Sequence, residues 1–224
     1  MRRLMPMLLL LLLFAPGVAP AAQVSDQQKV VDGARRTLAQ LTADKTLGGP
    51  ARDLLHKARA VLIVPQLVKA GFILGGEGGD GVLLARDAAG NWSYPSFCGM
   101  GGGSIGLQIG GEVSRIVLII MTEPALRAVM RDEFKIGAEA GITVVTLGGG
   151  AEASTTANAG ADIYAVARSK GLFGGIALQG AIIAPSTGWN HAYYGRDVTA
   201  EAIVLRHAAA NPGAEALRSA LARF

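Results

Sequence analysis

Several residue types are scarce in this sequence, and each scarcity excludes something. One cysteine, Cys98, is present, so no intramolecular disulfide can form. A lone thiol of this kind is expected to pack as a small buried hydrophobe. The three histidines, His56, His191 and His207, stand far apart and lack ligand spacing, which argues against a metal site. Aromatic residues make up 5% of the chain, too few for the two aromatic girdles of an outer-membrane barrel. Phosphate-loop spacing, GxxxxGK[ST], does not occur. Charge of one sign is scarce as well: the formal net charge is +4, too mild to argue for nucleic acid. No cofactor is implied.

Glycine is abundant, at 31 of 224 residues, roughly twice average usage. The glycines are mixed with Ile, Val and Leu, so the chain is not a low-complexity linker. The first 22 residues read as an export signal. Arg2 and Arg3 precede the leucine-rich run Met7–Phe14, and Ala19-Pro20-Ala21-Ala22 offers small residues for cleavage. That run is short for a permanent span. Removing it leaves 19 Lys+Arg against 17 Asp+Glu, a net of +2. Residues 23–224 are long enough for one domain with a substantial core. An exported, periplasmic protein is expected.

Within 23–59, Ser25 followed by Gln28 resembles a capping box. Val31, Ala34, Leu38 and Leu41 then recur at helical spacing. Gly48-Gly49-Pro50 ends this helix and opens a second one over Ala51–Ala58. These 37 residues carry seven Lys/Arg against four Asp, so a membrane-surface helix competes with a helix packed on a sheet. Residues 60–195 carry the strand patterns. Ala60–Val64 is stopped by Pro65. Gly71–Leu74 and Gly81–Ala85 flank a glycine-rich turn, Gly75–Asp80. Asn91–Phe97 follows, with Pro95 suggesting an edge or bend. In Ser104–Met121 (SIGLQIGGEVSRIVLIIM), alternation gives way to a run that is apolar on both faces. Glu123–Arg131 reads as a helix with Pro124 in its first turn. Phe134–Val144 alternates most cleanly of all, then Ala151–Thr156, Ala161–Arg168 and Leu172–Ile183. Thr199–Arg206, capped by Thr199, and Ala214–Phe224 finish the chain as helices. The expected fold is α+β: a curved, glycine-rich, mainly antiparallel, barrel-like sheet with N-terminal and C-terminal helices, the glycines serving as bending points.

Three motifs invite a catalytic or nucleotide reading. Gly76–Gly81 and Gly101–Gly106 match GxGxxG, but each leads into a strand pattern where a dinucleotide turn must open a helix. Gly102–Gly106 matches GxSxG around Ser104, with Asp162 and His191 following in hydrolase order. The residues after Ser104 again read as a strand, so the required strand–turn–helix is missing. Glu77, Glu112, Glu139 and Glu152 could pair as carboxylates or simply face solvent. A serine hydrolase using Ser104 and an outer-membrane barrel are the competing alternatives.

Four ordered blocks, VKAGFILGGEGGDGVLL (68–84), GLQIGGEV (106–113), SKGLFGGIALQG (169–180) and YGRDVT (194–199), resemble the SYLF-domain family of lipid-binding proteins. The similarity runs from about Ala51 to Leu205. The resemblance implies a glycine-rich β domain with flanking helices, no catalytic activity and binding to membrane lipids. Eukaryotic relatives are associated with phosphoinositides and some with actin. An exported chain meets neither, so the implied partner is an anionic phospholipid surface. The candidate contacts are basic residues beside apolar ones near turns: Lys69 with Phe72, Lys135 with Phe134, and Lys170 with Leu172 and Phe173. Each lysine contributes on the order of 1 kcal/mol at an anionic leaflet, so several must act together.

Overall fold

A computed structural model describes residues 24–71, 74–105, 110–147, 160–170 and 178–224. Helix α1 spans Asp26–Thr42, and the Ser25 side chain accepts from the Gln28 N–H at 3.1 Å. The reciprocal half of the expected capping box is absent. The Gln28 amide instead donates to Asp32 and to the Gly213 carbonyl. Val31, Ala34, Leu38 and Leu41 form the buried stripe of α1. Helix α2, Gly48–Lys57, begins at the Gly-Gly-Pro break, with Pro50 in its first turn.

Eight strands follow among the described residues: β1 (Ala60–Gly71), β2 (Leu74–Ala85), β3 (Ser96–Ile105), β4 (Gly110–Ile120), β5 (Phe134–Lys135), β6 (Val144–Leu147), β7 (Ile163–Lys170) and β8 (Ile182–Pro185). They form one curled sheet in the order β5-β8-β3-β2-β1-β4-β7-β6, antiparallel except for the β6–β7 pair. Strands β1, β2 and β3 form a meander and β4 returns beside β1, the Greek-key order. Between β4 and β5 lies α3 (Glu123–Val129), capped by Thr122, with Pro124 in its first turn. Helices α4 (Thr187–Tyr194), α5 (Ala200–Val204) and α6 (Glu215–Leu221) complete the chain. The Thr199 hydroxyl caps α5, accepting from the Ala202 N–H at 3.2 Å.

Both sheet faces are packed. Ala60, Leu62 and Val64 of β1 join Ile116, Leu118 and Ile120 of β4 on one face, together with α3 and Phe134. Val61, Ile63, Val117 and Ile119 point the other way, against α1, α2 and α6. This two-sided burial is what the continuous apolar runs require. No helix among the described residues is long and apolar enough to cross a membrane.

The strand assignments differ from the sequence expectation at several points. Ser104–Met121 is not one strand: Ser104 and Ile105 end β3, and Gly110–Ile120 form β4. Of Leu172–Ile183, residues 178–181 form a turn and only Ile182 and Ile183 are strand among the described residues. Pro65 does not end β1. Val64 pairs with Ile116 and Leu67 with Ser114, so β1 gains one residue against its neighbour, a bulge that accommodates the missing proline N–H. Because one residue is extra, Val64 and Leu67 still face the same cluster. Gly75–Asp80 is no turn; it is strand, paired with Asp80↔Gly99 through Gly75↔Ser104. Asn91–Phe97 contributes only a Trp92–Arg86 bridge before β3 starts at Ser96. The clean alternation of Phe134–Val144 yields two strand residues and then turns. Gly137 and Gly141 hold φ of +77° and +79°, left-handed values that no strand can continue through. The expected strand over 151–156, and the part of the last strand pattern that covers 172–177, lie outside the described residues. Helix α4, which carries the buried Asn190 and Tyr193, has no counterpart in the sequence reading.

Candidate functional site

The sheet divides along its strands. One half is apolar and clamped between helices. In the other half, Val68–Gly71, Leu74–Asp80, Gly99–Ile105 and Gly110–Ser114 lie side by side, and small residues dominate. On the face that packs α1 further along, Val68 and Val113 are cross-strand partners and remain 43% and 40% exposed. Apart from Val24, they are the exposed large hydrophobic residues among those described. Arg115 stands on the same face, two residues from Val113, and directly beyond it Val117 enters the helix-covered core.

Between α1 and this half of the sheet is a cavity of about 600 Å³, lined by Lys29, Gly33, Arg36, Thr37 and Gln40 of α1 and by Pro65, Gln66, Val68, Gly78, Gly79, Asp80 and Arg115 of the sheet. Its geometry follows from two close approaches. A Cβ on Gly33 would sit 2.9 Å from the Pro65 Cβ, so α1 lies tight on the β1 bulge at that point. Gly79 faces the same bulge, and a Cβ there would run into the Gln66 carbonyl oxygen. Gly78, by contrast, meets nothing within 4 Å and opens onto the cleft.

The cleft is cationic. Lys29 is paired with Asp26 at 2.8 Å on the exposed side of α1, whereas Arg36 and Arg115 form no ion pair among the described residues. Asp80 is the one carboxylate in the lining, and burial raises its pKa above the usual carboxylate value.

The opposite face of the same half holds a different arrangement. Lys69 stands opposite Glu77 on β2 and opposite Glu112 on β4. Glu112 is buried and accepts from the Ser114 hydroxyl at 3.0 Å. Burial raises the pKa of Glu77, Lys69 opposes that rise, and Glu112 adds to it. Lys69 is therefore flanked by two carboxylates.

Of the contacts expected from sequence, Lys135 is exposed. Phe134 is not: it is fully buried in the core beside α3, because strand alternation turns it inward when Lys135 turns outward. Phe72, Leu172 and Phe173 lie outside the described residues, as does the Lys170 side chain. Strand pairing does not bring Lys69 together with Lys135. Arg36, Arg115, Asp80, Val68 and Val113 escaped the sequence reading. The signal for them was Arg115, a charge in register with Val113 and Val117 on a face expected to be covered.

The catalytic patterns do not assemble. Ser104 pairs with Gly75 at one end of the sheet. Asp162 sits at the other end, where its carbonyl accepts from the Met121 N–H. The length of β4 separates those levels by roughly 30 Å. The Asp162 carboxylate is occupied by the Thr143 N–H at 2.9 Å and by the Thr122 and Thr143 hydroxyls at 2.8 Å. His191 pairs with Asp197. Gly76–Gly81 is continuous strand, not a phosphate turn opening a helix. Cys98 is buried, and burial pushes its thiol up to about 12. Among the described residues no group of His, Cys, Asp and Glu could hold a metal.

The described residues form a curled glycine-rich sheet with packed helices and an open cationic cleft, an α+β domain. Residues 101–224 match the family model described as Ysc84, Las17-binding protein actin regulator. The chain belongs to that family, which is the SYLF family of the sequence resemblance. LAS seventeen-binding protein 3 of Saccharomyces cerevisiae is 34% identical over 155 residues, 68% of this chain and 34% of the relative. Protein YSC84 of the same yeast is 32% identical over 167 residues, 73% of this chain and 36% of the relative. SH3 domain-containing YSC84-like protein 1 of Xenopus laevis is 32% identical over 169 residues, 73% of this chain and 50% of the relative. The chain thus spans between a third and a half of the length of these relatives. The family description names a Las17-binding actin regulator and one relative's name a LAS seventeen-binding protein; none of these names is that of an enzyme.

Proposed function

We propose that this protein is a non-enzymatic lipid-binding domain that is exported and associates with anionic phospholipid membranes in the periplasm. The observation that carries the reading is the juxtaposition of the exposed Val68–Val113 pair with Arg36 and Arg115, which form no ion pair among the described residues. Two apolar side chains can enter the interfacial region while the guanidinium groups meet phosphate oxygens. Family membership supports the non-enzymatic part of the reading, and the N-terminal export pattern supports the setting. The relatives' link to Las17 and actin regulation belongs to cytoskeletal proteins, which an exported chain does not meet. Lys69 lies on the opposite sheet face and Lys135 on the edge strand β5, so neither belongs to this surface; Lys170, Phe72, Leu172 and Phe173 remain candidate contacts from the sequence. Phe134 is dropped.

The test is co-sedimentation of residues 23–224 with vesicles of phosphatidylcholine alone or with 30% phosphatidylglycerol. Binding to the anionic vesicles alone, reduced at least tenfold in Arg36→Glu/Arg115→Glu, is expected. Equal binding to both compositions, or none, refutes the reading. N-terminal sequencing of protein recovered from the periplasm checks export, with a start near Gln23 expected.

A further inference from the structure

We infer that the cleft between α1 and the glycine-rich strands is a discrete pocket for one phosphodiester headgroup bearing hydroxyl donors, of the phosphoglycerol type. This rests on the anionic-membrane reading and narrows it from a charged surface to a site with a stoichiometry. Volume is the first ground. About 600 Å³ falls within the range of small-molecule pockets, about 300 to 1,000 Å³, and diffuse attraction to a leaflet needs no cavity at all.

Charge is the second ground. Arg36 and Arg115 enter the cleft from α1 and from β4 without a carboxylate partner among the described residues. Two guanidinium forks facing one space match the oxygens of a single phosphate. The third ground is Asp80. It makes no ion pair or side-chain hydrogen bond among the described residues, and an ionised carboxylate can only accept. A ligand that satisfies the arginines and Asp80 together must carry both phosphate and hydroxyl donors. An ammonium group could also meet Asp80, but the three cations of the lining repel it. Bare phosphate monoesters offer Asp80 nothing and add charge against it.

Gly78 makes the inference testable without touching any charge. It lines the cleft, a Cβ placed on it would meet nothing within 4 Å, and its φ lies outside the left-handed region. Leucine at this site projects into the pocket and obstructs it beside Asp80.

The experiment titrates the purified protein with dihexanoyl phosphatidylglycerol below its micelle concentration, followed by calorimetry and NMR, alongside the vesicle assay. Saturable one-to-one binding is expected. Gly78→Leu should weaken it at least tenfold, with an unchanged circular dichroism spectrum and melting temperature. Dihexanoyl phosphatidylserine and phosphatidic acid should bind at least fivefold more weakly, and Asp80→Asn should erase the preference over phosphatidic acid. Vesicle binding without saturable binding of the monomeric lipid overturns the pocket and leaves the membrane reading standing. The pocket is equally overturned if Gly78→Leu and Asp80→Asn bind the monomer like wild type. Absence of binding to anionic vesicles as well overturns both.

Discussion

At the scale of single residues, the carboxylate of Asp162 shows how far a motif can mislead. In sequence it completes a serine–aspartate–histidine order. In the fold it ties β7 to the start of α3 and to Thr143. The Thr143 N–H, followed by the Thr122 and Thr143 hydroxyls, holds its pKa below the usual carboxylate value. A carboxyl depressed by folding stabilises the native state fully above its unfolded value, about 3.9, and that stability is lost as pH falls through the folded value. Asp162→Ala should therefore cost about 2 kcal/mol at pH 7. The gap to wild type should narrow below pH 4 in urea unfolding curves taken at both pH values. Cys98 gives a second prediction. With its thiol buried and pushed up to about 12, it should resist a thiol-specific reagent in the native state at pH 8 and react within seconds once unfolded. The burial of Cys98 was legible from its being alone. The burial of Phe134 was legible too, since neighbours on a strand face opposite ways; coupling it to Lys135 as one membrane contact ignored that rule.

At the scale of elements, what could be read and what could not divide by range. Caps and apolar stripes are local, and the boundaries at Ser25, Pro50, Thr122 and Thr199 follow from adjacent residues. Glycine is ambiguous locally. In Gly75–Asp80 it continues a strand, whereas at Gly137 and Gly141 it breaks one by taking positive φ, although the second stretch alternates better. Side-chain periodicity carries no information about the φ a glycine adopts, so the two cases exchange places in a sequence reading. What decides the first case is the partner strand. Gly79 lies across from the β1 bulge, where a Cβ would run into the Gln66 carbonyl and come within 3.0 Å of the Leu67 Cα. Backbone atoms cannot swing aside as a side chain can. Gly79→Ala should cost about 1 to 3 kcal/mol and lower the melting temperature by roughly 5 °C for a domain of this size. Gly78→Ala, one residue away and facing open space, should leave it within 1 °C.

At the scale of the whole molecule, the arrangement separates stability from binding. Helices α1, α2 and α6 cover the apolar half of one sheet face, and the glycine-rich half of that face stays open beside α1. No local pattern announces this, because the cleft is made by residues from α1, β1, β2 and β4 that only the Greek-key order brings together. The surface has two physically distinct components, and salt distinguishes them. Screening shortens the Debye length from about 10 Å at 0.1 M to about 3 Å at 1 M, which removes most of the attraction due to Arg36 and Arg115. Apolar contact through Val68 and Val113 is not weakened by added salt, and each valine, already about half withdrawn from water, adds about 1 kcal/mol on entering a bilayer interface. Affinity for anionic vesicles should thus fall at least tenfold between 0.1 and 1 M NaCl and then level off at a residual value. Val68→Ser/Val113→Ser should remove that residual, about 25-fold from the two side chains together, while leaving the salt-dependent part of the curve in place. Sedimentation across the salt series checks both. A wild-type curve that falls to zero without a plateau would assign the surface to charge alone and strip the valine pair of its role.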